Sequence, residues 1–156
     1  MLREQRPRSA RGKDTTVRPA LNGNLAPEAL RTDVMARILI VDDQASIRQL
    51  LTNAFSLRGH EAIEAANGAE AITLYRAAPT DVVIMDLVMP EKDGVETIGE
   101  LKREFPNVRV VAVSGGGMID ARDHLEWAQM IGALRTFQKP FKITDMVAAV
   151  EELVQS

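Results

Sequence analysis

The chain has 156 residues, 46% of them apolar and only 4% aromatic, with 19 Lys and Arg against 22 Asp and Glu for a formal net charge of −3. That suits one ordinary globular domain with a tail, and the lack of cysteine excludes disulfide frameworks, cysteine-ligated zinc, iron–sulfur clusters and thiol catalysis. Apolar runs such as Ile38-Leu39-Ile40-Val41 and Val82-Val83-Ile84-Met85 fall far short of the roughly 20 residues of a membrane helix, and the N-terminus lacks a secretory signal, so a cytoplasmic protein with no membrane contact is expected.

Residues 1–36 hold seven basic and four acidic residues, a net of +3, which leaves 12 basic and 18 acidic residues, a net of −6, for residues 37–156. Pro7, Pro19, Pro27 and the turn formers Asn22-Gly23-Asn24 interrupt a stretch without sustained apolar periodicity. Such a segment cannot bury enough surface to offset its chain entropy. Residues 1–35 therefore read as a disordered basic arm, with at most a helical turn over 26–30, and residues 36–156 as the domain. A basic arm can hold nucleic acid or an acidic membrane, but no aromatic residue stands among its arginines to stack on bases. Met35 also opens a plausible start of its own, so an inert tail is the better-supported reading.

From Arg37 onward, short apolar runs alternate with helical periodicities. Strands are predicted at 38–41, near 62–65, at 82–85, at 108–113 and near 136–138. Ile47, Leu50, Leu51, Ala54 and Phe55 fall on one helix face, and Gly59 gives a C-cap signal. Asn67 with Glu70 comes close to a capping box for a second helix that carries Ala71, Ile72, Leu74 and Tyr75. Val95, Ile98, Leu101 and Phe105 form a third stripe, a fourth helix runs over 125–131, and Met146, Val147, Val150, Leu153 and Val154 form the last. Continuous apolar runs mean strands buried on both faces. Their alternation with helices means a parallel sheet with right-handed crossovers, an open, doubly wound α/β sandwich. His60, in a turn after Gly59, and His124, among charged residues of the fourth helix, are read as solvated.

In such sheets a ligand sits beyond the carboxyl ends of the strands. Asp42 and Asp43 follow the first run, Asp86 the third, Ser114 the fourth, and Lys139 and Pro140 the fifth. Clustered carboxylates need a cation, and an all-oxygen set suits Mg²⁺. A carboxylate can also attack phosphorus to give an aspartyl phosphate, with the ammonium and hydroxyl on other phosphoryl oxygens. Each residue alone has a plainer use: Asp42 and Asp43 as a helix cap, Asp86 opening a loop that turns at Pro90 and Gly94, Ser114 leading into Gly115-Gly116-Gly117, Lys139 on the surface. Together, at four strand ends on one edge, they point to phosphoryl acceptance.

These residues, Ile38-Leu39-Ile40-Val41-Asp42-Asp43, Asp86-Leu87-Val88-Met89-Pro90 with Gly94, Val113-Ser114, and Lys139-Pro140-Phe141, resemble the receiver domains of two-component response regulators over roughly residues 36–155. The resemblance implies a flavodoxin-like, five-stranded sheet of order 2-1-3-4-5 with five helices, and a signalling protein rather than an enzyme. It implies that Asp86 is the phosphoacceptor, that Asp43 ligates Mg²⁺ directly, Asp42 largely through water and Val88 through its backbone carbonyl. It further implies that Ser114 and Lys139 contact the phosphoryl group and that the bond before Pro140 is cis. The donor would be a sensor histidine kinase or a histidine phosphotransfer protein.

The departures from the family pattern matter. Thr136 stands where an aromatic switch residue is common, with Phe137 next to it reading as core. Gln44 replaces an acidic residue, and three glycines follow Ser114. Only Gln155 and Ser156 follow the last stripe, with no helix-turn-helix or zinc pattern. The expectation is a stand-alone receiver without direct DNA binding, acting on a downstream protein or as a phosphate sink or relay, with Trp127 or Met130 of the fourth helix at the centre of the partner surface. An aspartate-nucleophile, Mg²⁺-dependent hydrolase would want an acid where Val88 stands. A flavodoxin-like electron carrier would not place Asp42 and Asp43 against an FMN phosphate.

Overall fold

In the computed structural model, residues 35–90, 93–115 and 121–156 are described, and among them strands and helices alternate without exception. The strands are β1 (Arg37–Val41), β2 (Glu61–Ala65), β3 (Val82–Asp86), β4 (Val110–Ser114) and β5 (Arg135–Gln138). The helices are α1 (Ala45–Leu57), α2 (Gly68–Ala77), α3 (Gly94–Glu104), α4 (Ala121–Met130) and α5 (Ile143–Gln155). The strands form one sheet, ordered β2-β1-β3-β4-β5, and every pairing is parallel. This is the flavodoxin-like arrangement expected from the sequence. The expected arm lies outside the described residues up to position 34, as do Gly116 and Gly117 and the side chain of His124.

The period of two along each strand sorts the core into two layers. Leu39, Val41, Val83, Met85, Val110 and Ala112 face the helices that contribute Ile72, Tyr75, Ile98, Leu101 and Ala128. Ile38, Ile40, Val82, Ile84, Val111 and Val113 face Leu51 and Phe55 of α1 and Met146, Val150 and Leu153 of α5. Central strands packed on both faces leave no room for polar side chains until the strand ends, and β3 and β4 are buried at all five positions. The expectation of full burial fails at the sheet edges, where β2 and β5 are each paired on one side only and expose part of their residues. The fourth strand also begins two residues later than the apolar run suggests: Val108 is buried but lies in the turn before β4.

Local signals account for three of the helix ends. The Asn67 side chain accepts the Glu70 amide at 2.8 Å, while the Glu70 carboxylate accepts the Ala66 amide at 2.7 Å, so donors on both sides of the cap are satisfied. Asp93 caps α3 through the Glu96 amide at 2.8 Å. Gly59, with φ of +91°, closes α1 in a conformation that a side chain disfavours.

His60 corrects the sequence reading. It is buried, not solvated. Its Nδ1 accepts the Ala36 amide at 3.1 Å, which leaves Nε2 as the protonated nitrogen, donating to Glu151 at 2.9 Å. Arg58 grips the same carboxylate with two bonds, at 3.0 and 2.7 Å. A position after a turn glycine gives no hint of this, because Glu151 lies 91 residues away.

The hydrogen bond from Arg58, helped by His60, holds the Glu151 carboxyl below its ordinary range. A depressed folded-state pKa contributes stability that is present above the unfolded value and lost as pH falls through the folded one. Glu151→Ala is therefore expected to cost about 1.5–3 kcal/mol at neutral pH, and the gap to the parent should narrow below about pH 4.5. Urea denaturation at a series of pH values checks this; a gap independent of pH would show that packing alone is lost.

Candidate functional site

The sheet register decides which polar residues meet. Val41 pairs with Met85, so Asp42 and Asp86, each one residue further, stand level on adjacent strands. Asp86 in turn pairs with Val113, and Ser114 with Gln138, so Ser114 and Lys139 step along the same edge. Backbone bonds lock these ends: Leu87 N donates to Val113 O at 2.8 Å and Lys139 N to Ser114 O at 2.7 Å. The Lys139–Pro140 peptide is cis.

The side chains converge on the ammonium of Lys139. Its Nζ lies 2.9 Å from Asp42 Oδ2 and 3.4 Å from Asp86 Oδ2. Asp42 Oδ1 accepts the Gln44 amide at 2.8 Å, and Asp86 Oδ1 accepts the Val88 amide at 3.1 Å. Asp42 and Asp86 are buried, while Asp43 is exposed at the lip. A cleft of about 250 Å³ opens beside them, lined by Asp43, Gln44, Asp86, Val88, Gly115 and Lys139. Ser114 Oγ is buried at the same edge, without a hydrogen-bond partner among the described residues. A buried hydroxyl left so is costly unless something else uses it.

Electrostatics follow from the crowding. Burial, then the negative charge of Asp42, pushes the Asp86 carboxyl up from 3.8 to about 6, with Lys139 and the Val88 amide holding it lower than it would otherwise be. Burial disfavours the Lys139 ammonium, but the hydrogen bond to Asp42 and the charge of Asp86 outweigh it, so its pKa rises and it stays charged. Asp42, Asp43 and Asp86 each present a carboxylate oxygen within 4.8 Å of the others. Three hard oxygen donors beside an open cleft fit a small divalent cation.

Two glycines shape the site. A Cβ on Gly94 would lie 2.2 Å from the backbone oxygen of Asp86 and 2.6 Å from Leu87 Cα, so only glycine lets α3 start against the strand end. A Cβ on Gly115 would come within 3.0 Å of Lys139 Cδ, crowding the stem that carries the ammonium. The sequence marks Gly94 as a turn former and Gly115 as the start of a loose run; neither signal foretells a close approach to Asp86 or Lys139. The remaining expected residues lie outside this cluster. Thr136 is half-buried on β5, level with Ala112. Phe137 packs in the core with its ring 5.8 Å from that of Phe141. Trp127 and Met130, on α4, are 50% and 82% exposed.

A family model described as the response regulator receiver domain matches residues 38–151. Sporulation initiation phosphotransferase F of Bacillus subtilis is 35% identical over 116 residues, 74% of this chain and 91% of that protein. Chemotaxis protein CheY of Thermotoga maritima is 35% identical over 118 residues, 75% of this chain and 96% of that protein. Among solved structures, the receiver domain of the Francisella response regulator 1452 superposes with a TM-score of 0.69 at 26% identity, covering 77% of this chain and 97% of that one.

The raised pKa of Asp86 has a sign that can be measured. The folded state holds this proton more tightly than the unfolded chain does, so the stability linked to it is present below the unfolded pKa and lost as pH rises through about 6. Asp86→Asn removes that loss. In chelator-treated protein the variant should be more stable than the parent by about 2–3 kcal/mol above pH 7, with the gap closing towards about pH 4. Urea denaturation across that range checks it, and a variant no more stable than the parent at pH 7 would contradict the assigned burial and crowding.

Proposed function

The chain belongs to the family of response regulator receiver domains, and on that premise we propose that it accepts a phosphoryl group on Asp86 from a phosphohistidine of a sensor kinase or phosphotransfer protein and then acts by binding a downstream protein. One observation carries this reading: a buried carboxylate, Asp86, lies 3.4 Å from the Lys139 ammonium at the wall of an open cleft.

Asp86, ionised above its pKa of about 6, supplies the nucleophilic oxygen. As that oxygen bonds to phosphorus, the donor's phosphorus–nitrogen bond breaks. The bond pair leaves on an imidazole whose other nitrogen carries a proton, so the ring departs neutral and Asp86 becomes an acyl phosphate. Lys139 turns from the carboxylates to a phosphoryl oxygen. The Ser114 hydroxyl, without a partner among the described residues, donates to another. Asp42, Asp43, Asp86 and the Val88 carbonyl would hold Mg²⁺, which when bound supplies positive charge to offset that of the transferring group.

Thr136 is too small to fill an aromatic-sized slot, so movement of Ser114 is passed on through Gly115 rather than through a side chain at position 136. On this reading the partner surface is formed by α4, β5 and α5, around exposed Trp127 and Met130, with exposed Leu134 beside them. The similarity to a relative named a phosphotransferase favours a parallel question, whether the phosphoryl group moves on to a second histidine, as in a relay or a phosphate sink. Among the described residues no helix is long and apolar enough to cross a membrane.

Incubation with acetyl phosphate and Mg²⁺ should add one phosphoryl group to the parent by intact mass and none to Asp86→Ala. Labelling of Asp86→Ala at an acid-stable site would overturn the assignment. The lifetime of the label tests Val88. This side chain is 41% exposed at the cleft and cannot hydrogen-bond an attacking water, so Val88→Asn should lose the phosphoryl group faster than the parent; equal decay would remove Val88 from the account.

A further inference from the structure

Every polar group of Asp42 is held. Its amide donates to Ala65 O at 3.2 Å, its carboxylate takes the Gln44 amide at 2.8 Å and Lys139 Nζ at 2.9 Å, and its carbonyl accepts Arg48 Nη1 at 2.7 Å. The last of these bonds comes from outside the cleft. Arg48 lies on the first turns of α1, with a side chain 18% exposed. Its Nε donates to Glu64 Oε1 on β2 at 3.1 Å, and the other Glu64 oxygen takes the Thr52 hydroxyl at 2.9 Å. Thr52 and Glu64 thus set where the guanidinium points, and the guanidinium sets the Asp42 carbonyl.

A carbonyl oxygen is not a local detail. The peptide unit is planar, so fixing the oxygen of Asp42 fixes the amide nitrogen and Cα of Asp43. Asp43 is exposed and contributes one of the three carboxylates that lie within 4.8 Å of one another. Burial orients Asp42 and Asp86; among the described residues nothing comparable confines Asp43 except the backbone it stands on. Mutual repulsion among the three carboxylates acts to turn that peptide outward, and a cationic donor on the preceding carbonyl opposes it.

We propose that Arg48, aimed by Glu64 and Thr52, is a positioning residue for the acidic pair: it holds the Asp42–Asp43 peptide plane so that Asp43 faces the cleft. This rests on the cation-dependent phosphoryl acceptance proposed above. The role needs a planar fork with two donors in set directions, which lysine lacks. Charge alone would survive Arg48→Lys, and a mere tie between α1 and β2 would act on stability without touching the cation.

The test titrates Mg²⁺ during labelling with acetyl phosphate, and follows amide exchange of Gln44, whose N–H rests on Asp42, in chelator-treated protein. Arg48→Lys and Arg48→Ala should raise the Mg²⁺ concentration for half-maximal labelling about tenfold, as loss of a partner that orients metal ligands does, with little change in the rate at saturation. Both should speed Gln44 exchange. Glu64→Gln, which leaves the arginine in place but loosens its aim, should shift both readouts the same way by less, and with Arg48→Lys it carries the test if Arg48→Ala does not fold. An unshifted Mg²⁺ midpoint in Arg48→Lys overturns the proposal, whether or not thermal stability falls. If the parent itself takes no phosphoryl group, the reading of Asp86 fails instead, and unchanged Gln44 exchange in Arg48→Lys then still overturns the clamp.

Discussion

The structure turns on a crowding problem: three carboxylates are brought to one edge of a parallel sheet, two of them buried, with one ammonium between them. Burying a charge is costly unless it is paired, and one lysine cannot fully pair two carboxylates. Burial, and then the charge of Asp42, therefore leave the Asp86 carboxyl raised to about 6 despite Lys139. Raising a carboxyl from 3.8 to about 6 corresponds to about 3 kcal/mol, a sizeable part of the net stability of a domain of this size. Such a site persists only because the sheet beneath it imposes the arrangement.

The imposition comes from burial. β1, β3 and β4 have apolar residues on both faces, and each layer meets its own set of helices. A slip of one residue in any strand would exchange its two faces, and with them would go the match between Asp42 and Asp86. Register, and so the distance between the carboxylates, is enforced by the apolar packing of both layers, remote from the cleft. The cleft-side bonds from Leu87 and Lys139 amides to β4 then fix the last residues, where the ladder ends.

The residues that follow apolar runs were legible because the fold class alone puts them on one edge. Asp42, Asp43, Asp86, Ser114 and Lys139 needed no more than the alternation of strands and helices. What stayed hidden depends on distance in space rather than on period. His60 reads as a turn residue until Glu151 arrives from α5. Arg48 looks like one polar residue on a helix face until β2 brings Glu64 beside it. The edge strands misled for a related reason, since a short run shows that a strand exists but not how many neighbours it has. The buried Ser114 hydroxyl lies between these cases: its position was legible, its lack of a partner among the described residues was not.

The contact at Gly94 has a mechanical meaning. The first residue of α3 touches the backbone of Asp86 and Leu87 with no side chain between, and its amide is tied to Leu87 O at 3.0 Å. Close-packed atoms in contact have no slack to absorb a displacement. The start of α3 and the end of β3 therefore behave as one stiff body, so a displacement of the Asp86 backbone carries the first turn of α3 with it.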